Sequence, residues 1–378
     1  MDYNIISGDS HIDMTWMPGD LWASQAPVAL RDDAPRVIET DEGLKWTAEG
    51  KILGVFGGSS FGFGKAEKGS SRRIDSMFSE GFYEGAPRPT TPELRLKDME
   101  RDGVDAEVLY GVLGVGLRFQ NPELTRYVYN VYYQWAADFC QTNPGRWAAL
   151  APITSHDPHA AAEDLRLAAK LGLKGADFAV SNAVKPLYHS DWDVLWDAAS
   201  ECAMPVSFHF TVGMKPSIRQ PDAEDLPAYK DKVNLVGDAC SQLEGALHLT
   251  SIIYSGACER FPDLQWVLGE TGVTWVPFLT ARMDAHHRDQ RHMVDLPLTP
   301  SEYWRRQGHA TFQTDSILAD MIDLVGDDNA IWGSDYPHPD GVWPDSLATI
   351  SQDLGRLEES RRHKLICGTA GRLYGFLS

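Results

Sequence analysis

Eight short apolar runs, separated by amphipathic stretches, constrain the fold of this 378-residue chain more than any other feature. Each run has the length of a buried strand, and most of the stretches between them carry apolar residues at helical spacing. Repeated strand-then-helix order predicts parallel strands joined by right-handed crossovers. Eight such units favour an α/β fold of the (β/α)8 barrel type over an open sheet. The predicted strands cover residues 4–12, 106–112, 147–153, 173–178, 205–210, 264–270, 310–314 and 330–334.

We expect one barrel domain over residues 1–378, with an insertion at residues 40–91 that breaks the strand–helix rhythm. The insertion contains a possible hairpin around Trp46 and Lys51, followed by a glycine-rich stretch with Phe61 and Phe63. Because it follows the first strand, it would rise from the face on which barrel active sites lie. We interpret it as a lid or, equally well, as a surface excursion. The predicted helices cover residues 93–101, 124–142, 159–171, 192–202, 234–259, 316–324 and 357–365.

Composition excludes some classes of partner. The formal net charge is −20, and no long block of Lys or Arg offsets it, so we expect neither nucleic acid nor a membrane surface as a partner. Five scattered cysteines without CxxC spacing indicate reduced thiols, which is typical of a cytoplasmic protein. Neither a signal-peptide pattern nor a run of about 18 apolar residues is evident. The expected partner is a small-molecule substrate.

Polar side chains stand at the carboxyl ends of four predicted strands. Asp9 and His11 are two residues apart on the first strand, so they project from the same face. His209 ends the fifth strand, Glu270 the sixth and Asp335 the eighth. In a barrel these strand ends meet at one mouth. Three of these residues also have a purely structural interpretation. His209 would be a core histidine bonded to backbone, Glu270 a carboxylate paired with an arginine, and Asp335 an aspartate that caps a helix.

Together these residues predict a metal centre. Clustered carboxylates and imidazoles at a barrel mouth would be poorly satisfied without a cation. Nitrogen and oxygen donors without cysteine suit Zn²⁺, Mn²⁺ or Fe²⁺. We therefore expect one divalent metal ion per chain, with zinc as the first candidate.

The chain resembles the amidohydrolase-2 branch of the amidohydrolase superfamily, which includes aminocarboxymuconate-semialdehyde decarboxylase and the resorcylate and carboxyvanillate decarboxylases. The motifs that carry the resemblance are Asp9-Ser10-His11, residues 96–109, Tyr129-Asn130, and residues 205–209, 260–264 and 333–337. The resemblance implies a barrel with one metal ion at its mouth, and often a homodimer. It implies as metal ligands Asp9, His11, His209 and Asp335.

Two residues depart from the family pattern. The first position of the opening pair is usually His or Glu, and here it is Asp9, whose side chain is one carbon shorter than glutamate. The decarboxylases place a catalytic histidine at the end of the sixth strand, where this chain has Glu270. His338, three residues after Asp335, would replace that histidine as an acid/base group. His286, on a helical segment after the sixth strand, is a further candidate.

Three functions follow as alternatives. The preferred one is non-oxidative decarboxylation of a small aromatic or unsaturated carboxylic acid, in which a nearby acid protonates the carbon that loses CO₂. The second is hydrolysis of an amide, ester, lactone or carbon–carbon bond, with Asp335 taking a proton from a water activated by the metal. The third is a barrel without catalysis and with an empty metal site. The expected catalytic residues are Asp335, Glu270, His338 and His286.

Overall fold

Eight parallel strands form one sheet, in the order in which they follow each other along the chain. The computed structural model describes residues 2–56, 91–209, 226–338 and 341–377. The strands in these residues are β1 (Ile6–His11), β2 (Arg36–Thr40), β3 (Gly43–Ala48), β4 (Lys51–Val55), β5 (Ala106–Tyr110), β6 (Trp147–Ile153), β7 (Gly175–Phe178), β8 (Val206–His209), β9 (Trp266–Gly269), β10 (Gly308–Phe312) and β11 (Ala330–Trp332). The large sheet runs β1-β5-β6-β7-β8-β9-β10-β11.

The sheet closes between its first and last strands. The amide of His11 donates to the carbonyl of Tyr336 at 2.7 Å, and the amide of Asp335 donates to the carbonyl of Asp9 at 2.8 Å. Ser10 and Tyr336 form a parallel bridge at the same place. The expected barrel is confirmed, and its seam joins two of the segments that carry candidate metal ligands.

All residues of the eight barrel strands are buried. Helices cover the outer face of a parallel barrel and side chains fill its interior, which explains why the strands read as continuous apolar runs. Every predicted barrel strand occurs, with ends within two residues of the expected ones. Residue 210, the last of the predicted fifth strand, lies outside the described residues.

The helices between the strands follow the predicted rhythm in part, and those at residues 276–290, 300–307 and 346–354 were not among the predicted ranges. They are α1 (Pro92–Asp102), α2 (Leu113–Gly116), α3 (Pro122–Thr142), α4 (Pro158–Leu171), α5 (Asp193–Cys202), α6 (Leu226–Ser241), α7 (Gly245–Tyr254), α8 (Ala257–Arg260), α9 (Val276–Gln290), α10 (Pro300–Gln307), α11 (Leu318–Val325), α12 (Ser346–Leu354), α13 (Glu359–His363) and α14 (Thr369–Leu373). The prediction of a single helix over residues 234–259 was wrong, because this span contains α7 and parts of α6 and α8. Gly256 has a left-handed φ of 73° that ends the helical path between α7 and α8.

The start of the 40–91 insertion belongs to a small antiparallel sheet of β2, β3 and β4. The hairpin expected around Trp46 and Lys51 is confirmed as β3–β4. The Thr15 hydroxyl donates to the carbonyl of Val55 at 2.6 Å, which ties this sheet to the segment after β1. The remainder of the predicted lid, residues 57–90 with Phe61 and Phe63, lies outside the described residues.

Within the described ranges, no helix has the length and apolar character needed to cross a membrane. The five cysteines are all free thiols.

Candidate metal centre

Asp9 and His11 lie together at the carboxyl end of β1. A register shift between Ser7 and Ser10 interrupts the pairing of β1 with β5 just where Asp9 occurs. Both side chains are buried, and His11 Nε2 is 3.3 Å from Asp9 Oδ1. The predicted pair therefore shares one face of the strand inside the barrel.

Two further side chains converge on this pair. His209, at the end of β8, places Nε2 3.4 Å from Asp9 Oδ1. Asp335, just after β11, places Oδ1 3.0 Å from His11 Nε2. Donor atoms of Asp9, His11 and His209 all lie within 4.8 Å of one another. The four residues expected as metal ligands therefore lie around His11, which contacts Asp335 on one side and shares the group of Asp9 and His209 on the other.

The turns after β9 and β11 use an unusual backbone. Glu270 has φ 57° and Asp335 has φ 55°, both in the left-handed region that costs a residue with a side chain roughly 1–2 kcal/mol. Both turns are fastened to Asp9: the Glu270 amide donates to Asp9 Oδ2 at 3.1 Å, and the Asp335 amide donates to the Asp9 carbonyl. A Cβ at Gly333 would lie 2.4 Å from the Cβ of Asp9, so only glycine permits this approach.

The residues present fit a divalent metal ion. In the part of the chain that the structure describes, Asp9 Oδ1, His11 Nε2 and both carboxylate oxygens of Asp335 are buried without a hydrogen bond of normal geometry. Such atoms are costly to bury unless a cation or a donor satisfies them. Two imidazoles with two carboxylates suit zinc, manganese or iron. The ligand-type atoms form two groups that share His11, namely Asp9 with His11 and His209, and His11 with Asp335 and His338.

Charges inside the cluster oppose the effect of burial. Burial raises the pKa of Asp9, but the charge of His209 and the close approach of both imidazoles outweigh it, so the pKa is lowered. Burial lowers the pKa of His209, but Asp9 and then Glu270 outweigh it and raise the pKa to about 10. Protons and a metal ion therefore compete for the same imidazole nitrogen.

Glu270 stands at the edge of the cluster. Its carboxylate Oε2 is 3.8 Å from His209 Nε2, and 14% of its side chain is exposed, whereas the side chain of Asp335 is fully buried. Glu270 is therefore a carboxylate of this cluster that solvent can reach.

His338 lies against the opposite side of the cluster. Its Nδ1 is 3.0 Å from Asp335 Oδ1 and its Nε2 is 3.3 Å from Asp13 Oδ2. Its ring stacks on that of His11, with centroids 3.9 Å apart. Burial lowers the pKa of His338, but Asp335 and Asp13 outweigh it and raise the pKa well above its ordinary value.

The structure does not bring His286 to this cluster. His286 is exposed on α9, as is Arg282 one turn earlier. The neighbouring His287 is the buried histidine of this helix, and its Nε2 donates to the carbonyl of Leu296 at 3.0 Å. The helix presents Met283 and His287 to the core, which leaves His286 on the outer face.

Sequence reasoning missed three residues that contact the cluster. Thr311, on β10, donates its hydroxyl to Asp9 Oδ2 at 2.6 Å. Asp13 contacts His338. It continues the alternate spacing of Asp9 and His11, and this spacing could have identified it from the sequence. Tyr110, on β5, packs its ring 4.5 Å from that of His209.

A fourth residue, Asp177 on β7, is a carboxylate inside a buried strand, and this polar interruption was also visible in the sequence. Burial raises the pKa of Asp177 to about 7, although the charge of His209 acts in the opposite direction. The backbone of His209 hydrogen-bonds to this carboxyl group. Asp177 therefore supports the strand end that carries a candidate ligand.

Comparison with known proteins identifies the family of this chain. The amidohydrolase family model matches residues 12–376. Gamma-resorcylate decarboxylase of Rhodococcus jostii is 24% identical over 306 residues, which cover 72% of this chain and 87% of that protein.

Solved structures show the same fold. An amidohydrolase from Mycobacterium avium subsp. paratuberculosis superimposes with a TM-score of 0.76 at 19% identity, covering 99% of this chain and 100% of that one. A dihydroxybenzoic acid decarboxylase from Polaromonas sp. JS666, solved with bound manganese and the inhibitor 2-nitroresorcinol, has a TM-score of 0.64 at 17% identity, covering 100% and 98%.

Proposed function

The chain belongs to the amidohydrolase family, in its amidohydrolase-2 branch, and on that premise we propose that it is a metal-dependent lyase. It removes CO₂ from a small aromatic or unsaturated carboxylic acid without an oxidant. The observation that carries this proposal is the convergence of two carboxylates and two imidazoles at the barrel seam. The named activities of the two decarboxylases similar to this chain support the choice of reaction.

In this proposal one divalent ion per chain is held by Asp9, His11, His209 and Asp335. Zinc is the first candidate, and the manganese in the solved decarboxylase makes that ion the natural second. When bound, the ion supplies an electrophilic anchor for a carboxylate and a neighbouring oxygen of the substrate. Fully buried carboxylates on both sides of His11 favour such an ion over a neutral ligand.

The remaining residues handle a proton. Decarboxylation breaks the bond between the substrate carbon and its carboxylate, CO₂ leaves, and the electron pair stays with the carbon, which binds a proton. We assign His338 as the store of that proton, because carboxylates on both of its ring nitrogens favour the protonated imidazole. Glu270, which is partly exposed beside His209 on the other side of the cluster, is a second group that can exchange a proton with the substrate.

A second candidate function is hydrolysis of an amide, ester, lactone or carbon–carbon bond. Glu270 is the observation that favours it, because a carboxylate replaces the histidine of the decarboxylases at the end of the sixth strand. A carboxylate at this place can accept a proton from an attacking water molecule, and so can Asp335.

We also propose that residues 40–91 act as a lid over the mouth of the barrel. A separate proposal is that the protein is a cytoplasmic homodimer. Leu243, Leu247 and Phe278 are exposed on or next to α7 and α9, helices that contact each other. Apolar side chains grouped on a surface favour association. Sedimentation equilibrium should give twice the chain mass of 42.0 kDa, and a single-chain mass would contradict the dimer.

Product analysis tests the proposed reaction. The purified full chain, loaded with zinc or with manganese, should release CO₂ from one or more members of a panel of hydroxylated benzoates. An Asp335→Asn variant is the matched control. Turnover of esters or lactones without CO₂ release would move the function to the hydrolase. Absence of any turnover, together with absence of bound metal, would support a barrel without catalysis.

A further inference from the structure

Thr311 lies where the candidate ligand Asp9 meets the turn at Glu270. It is on β10, the strand beside β9, and it is fully buried. Its hydroxyl oxygen is 2.6 Å from the Glu270 amide nitrogen and 2.6 Å from Asp9 Oδ2. Because an amide nitrogen can only donate, the Thr311 hydroxyl accepts from Glu270 and gives its single proton to Asp9. The direction of both hydrogen bonds is therefore fixed.

This arrangement gives the two oxygens of Asp9 different roles. Oδ2 accepts from the Thr311 hydroxyl and, at 3.1 Å, from the Glu270 amide. Oδ1 faces His11 Nε2 at 3.3 Å and His209 Nε2 at 3.4 Å. One oxygen is thus held by the protein while the other is presented to the imidazoles.

The same hydroxyl fastens the turn that carries Glu270. The left-handed backbone at Glu270 is strained, and its amide is held by two acceptors, Thr311 and Asp9. The carbonyl of Thr311 also accepts from the amide of Gly272 at 3.1 Å, so this one residue clamps both ends of the turn. Glu270 is thereby kept with its carboxylate near His209.

We propose that Thr311 is a positioning residue that orients Asp9 to bind the divalent ion through one oxygen and fixes the Glu270 turn beside it. The inference rests on the metal site of the proposed function. It also accounts for an aspartate at a position where the family usually has His or Glu. The shorter side chain of Asp9 has to be oriented toward the ion. The hydrogen bonds to Oδ2, the oxygen that would not bind the metal, provide this orientation.

The test compares two substitutions in the full chain. Thr311→Val keeps the shape and removes the hydroxyl, whereas Thr311→Ser keeps the hydroxyl. Dissociation constants for Zn²⁺ and Mn²⁺, measured by competition with a chelator, should be weaker by ~10–100-fold for T311V and within ~3-fold of wild type for T311S. The absorption spectrum of the Co²⁺-loaded T311V protein should also differ from that of wild type, because the ligand geometry has changed.

Thr280→Val is the matched control. Thr280 is buried on α9 and its hydroxyl donates to the carbonyl of Val276 at 3.0 Å, away from the cluster. T280V should bind both ions as wild type does. Thermal unfolding of each metal-free variant separates a change in metal affinity from a general loss of stability.

The result that would overturn the role of Thr311 is wild-type affinity, within ~2-fold, and an unchanged Co²⁺ spectrum for T311V. If T311V does not fold, Thr311→Ala gives the same comparison with the same two outcomes. If wild type itself binds neither ion, the proposed function fails, and the role of Thr311 fails with it.

Discussion

Glu270 and Asp335 are equivalent along the chain and different in the folded molecule. Each follows an apolar barrel strand, each has a left-handed backbone, and each amide donates to Asp9. Yet Asp335 is fully buried 3.0 Å from His11 Nε2, whereas Glu270 is partly exposed and 3.8 Å from His209 Nε2. One turn thus directs its carboxylate into the cluster, and the other directs it to the rim.

The difference separates holding an ion from acting on a substrate. A buried carboxylate that faces imidazole nitrogens and has no hydrogen bond of normal geometry is suited to a cation that stays in place. A carboxylate at the rim can reach a molecule that enters and leaves. We therefore expect substitutions at the two residues to affect metal content and turnover differently.

The largest effect is expected from Asp335→Asn. The variant loses the negative charge that would neutralise the ion beside His11. Both the metal content and the turnover should therefore fall to background. Atomic absorption on the purified variant and the CO₂ assay check the two parts. Near-normal turnover would rule out the role assigned to Asp335.

Glu270→Gln should be milder and of a different kind. The metal content should stay at the wild-type level, while kcat falls by ~10²-fold because a proton-transfer group is lost. Steady-state kinetics and metal analysis on the same preparation check this. A loss of metal equal to that of D335N would break the distinction between the two carboxylates.

Asp13→Asn should have a smaller effect. It removes one of the two carboxylates that contact His338, while Asp335 remains in contact with the other ring nitrogen. We expect kcat to fall by about tenfold with unchanged metal affinity, because the partner of an acid/base group is lost and not the group itself. Unchanged kcat would remove His338 from the proton path.

Asp102 shows what burial does to a carboxylate that is held by the hydroxyl and amide of Ser346, and the smallest effect is expected there. Burial raises its pKa to about 6, although the hydroxyl and amide of Ser346 donate to it. The folded state keeps this proton to a higher pH than the unfolded state does. The stability contributed by the protonated group is therefore lost as the pH rises from about 4 through 6.

Over that pH range, the free energy of unfolding of wild type relative to Asp102→Asn should fall by ~1–3 kcal/mol. Chemical denaturation at a series of pH values measures the difference. A difference that stays constant with pH would show that Asp102 does not titrate between the two states in this range.

Most of the barrel could be predicted because buried parallel strands are largely apolar. Their ends were less certain, since a strand ends where its neighbour stops pairing, which the sequence does not show locally. The span 234–259 was predicted as one helix because apolar residues continue through it, and only the backbone conformation at Gly256 reveals one of the breaks.

The site was predictable where topology alone determines it. Parallel strands deliver their ends to one mouth, so Asp9, His11, His209 and Asp335 could be grouped without knowing any distance. Thr311 could not be grouped with them, because its role depends on a rotamer and on two short hydrogen bonds.

His286 illustrates the opposite limit. Each residue of a helix turns by about 100°, so a shift of one position moves a side chain from the core to solvent. The exposed position of His286 and the buried one of His287 follow from where α9 begins and how it packs, and neither is fixed by local sequence.

The measurement that tests the metal centre most directly is the metal content of the full chain, purified without added metal and again after reconstitution with zinc or manganese. The cluster of Asp9, His11, His209 and Asp335 predicts about one ion per chain, with loss of that ion in D335N. Less than ~0.2 ion per chain, with no gain on reconstitution, would contradict the metal centre.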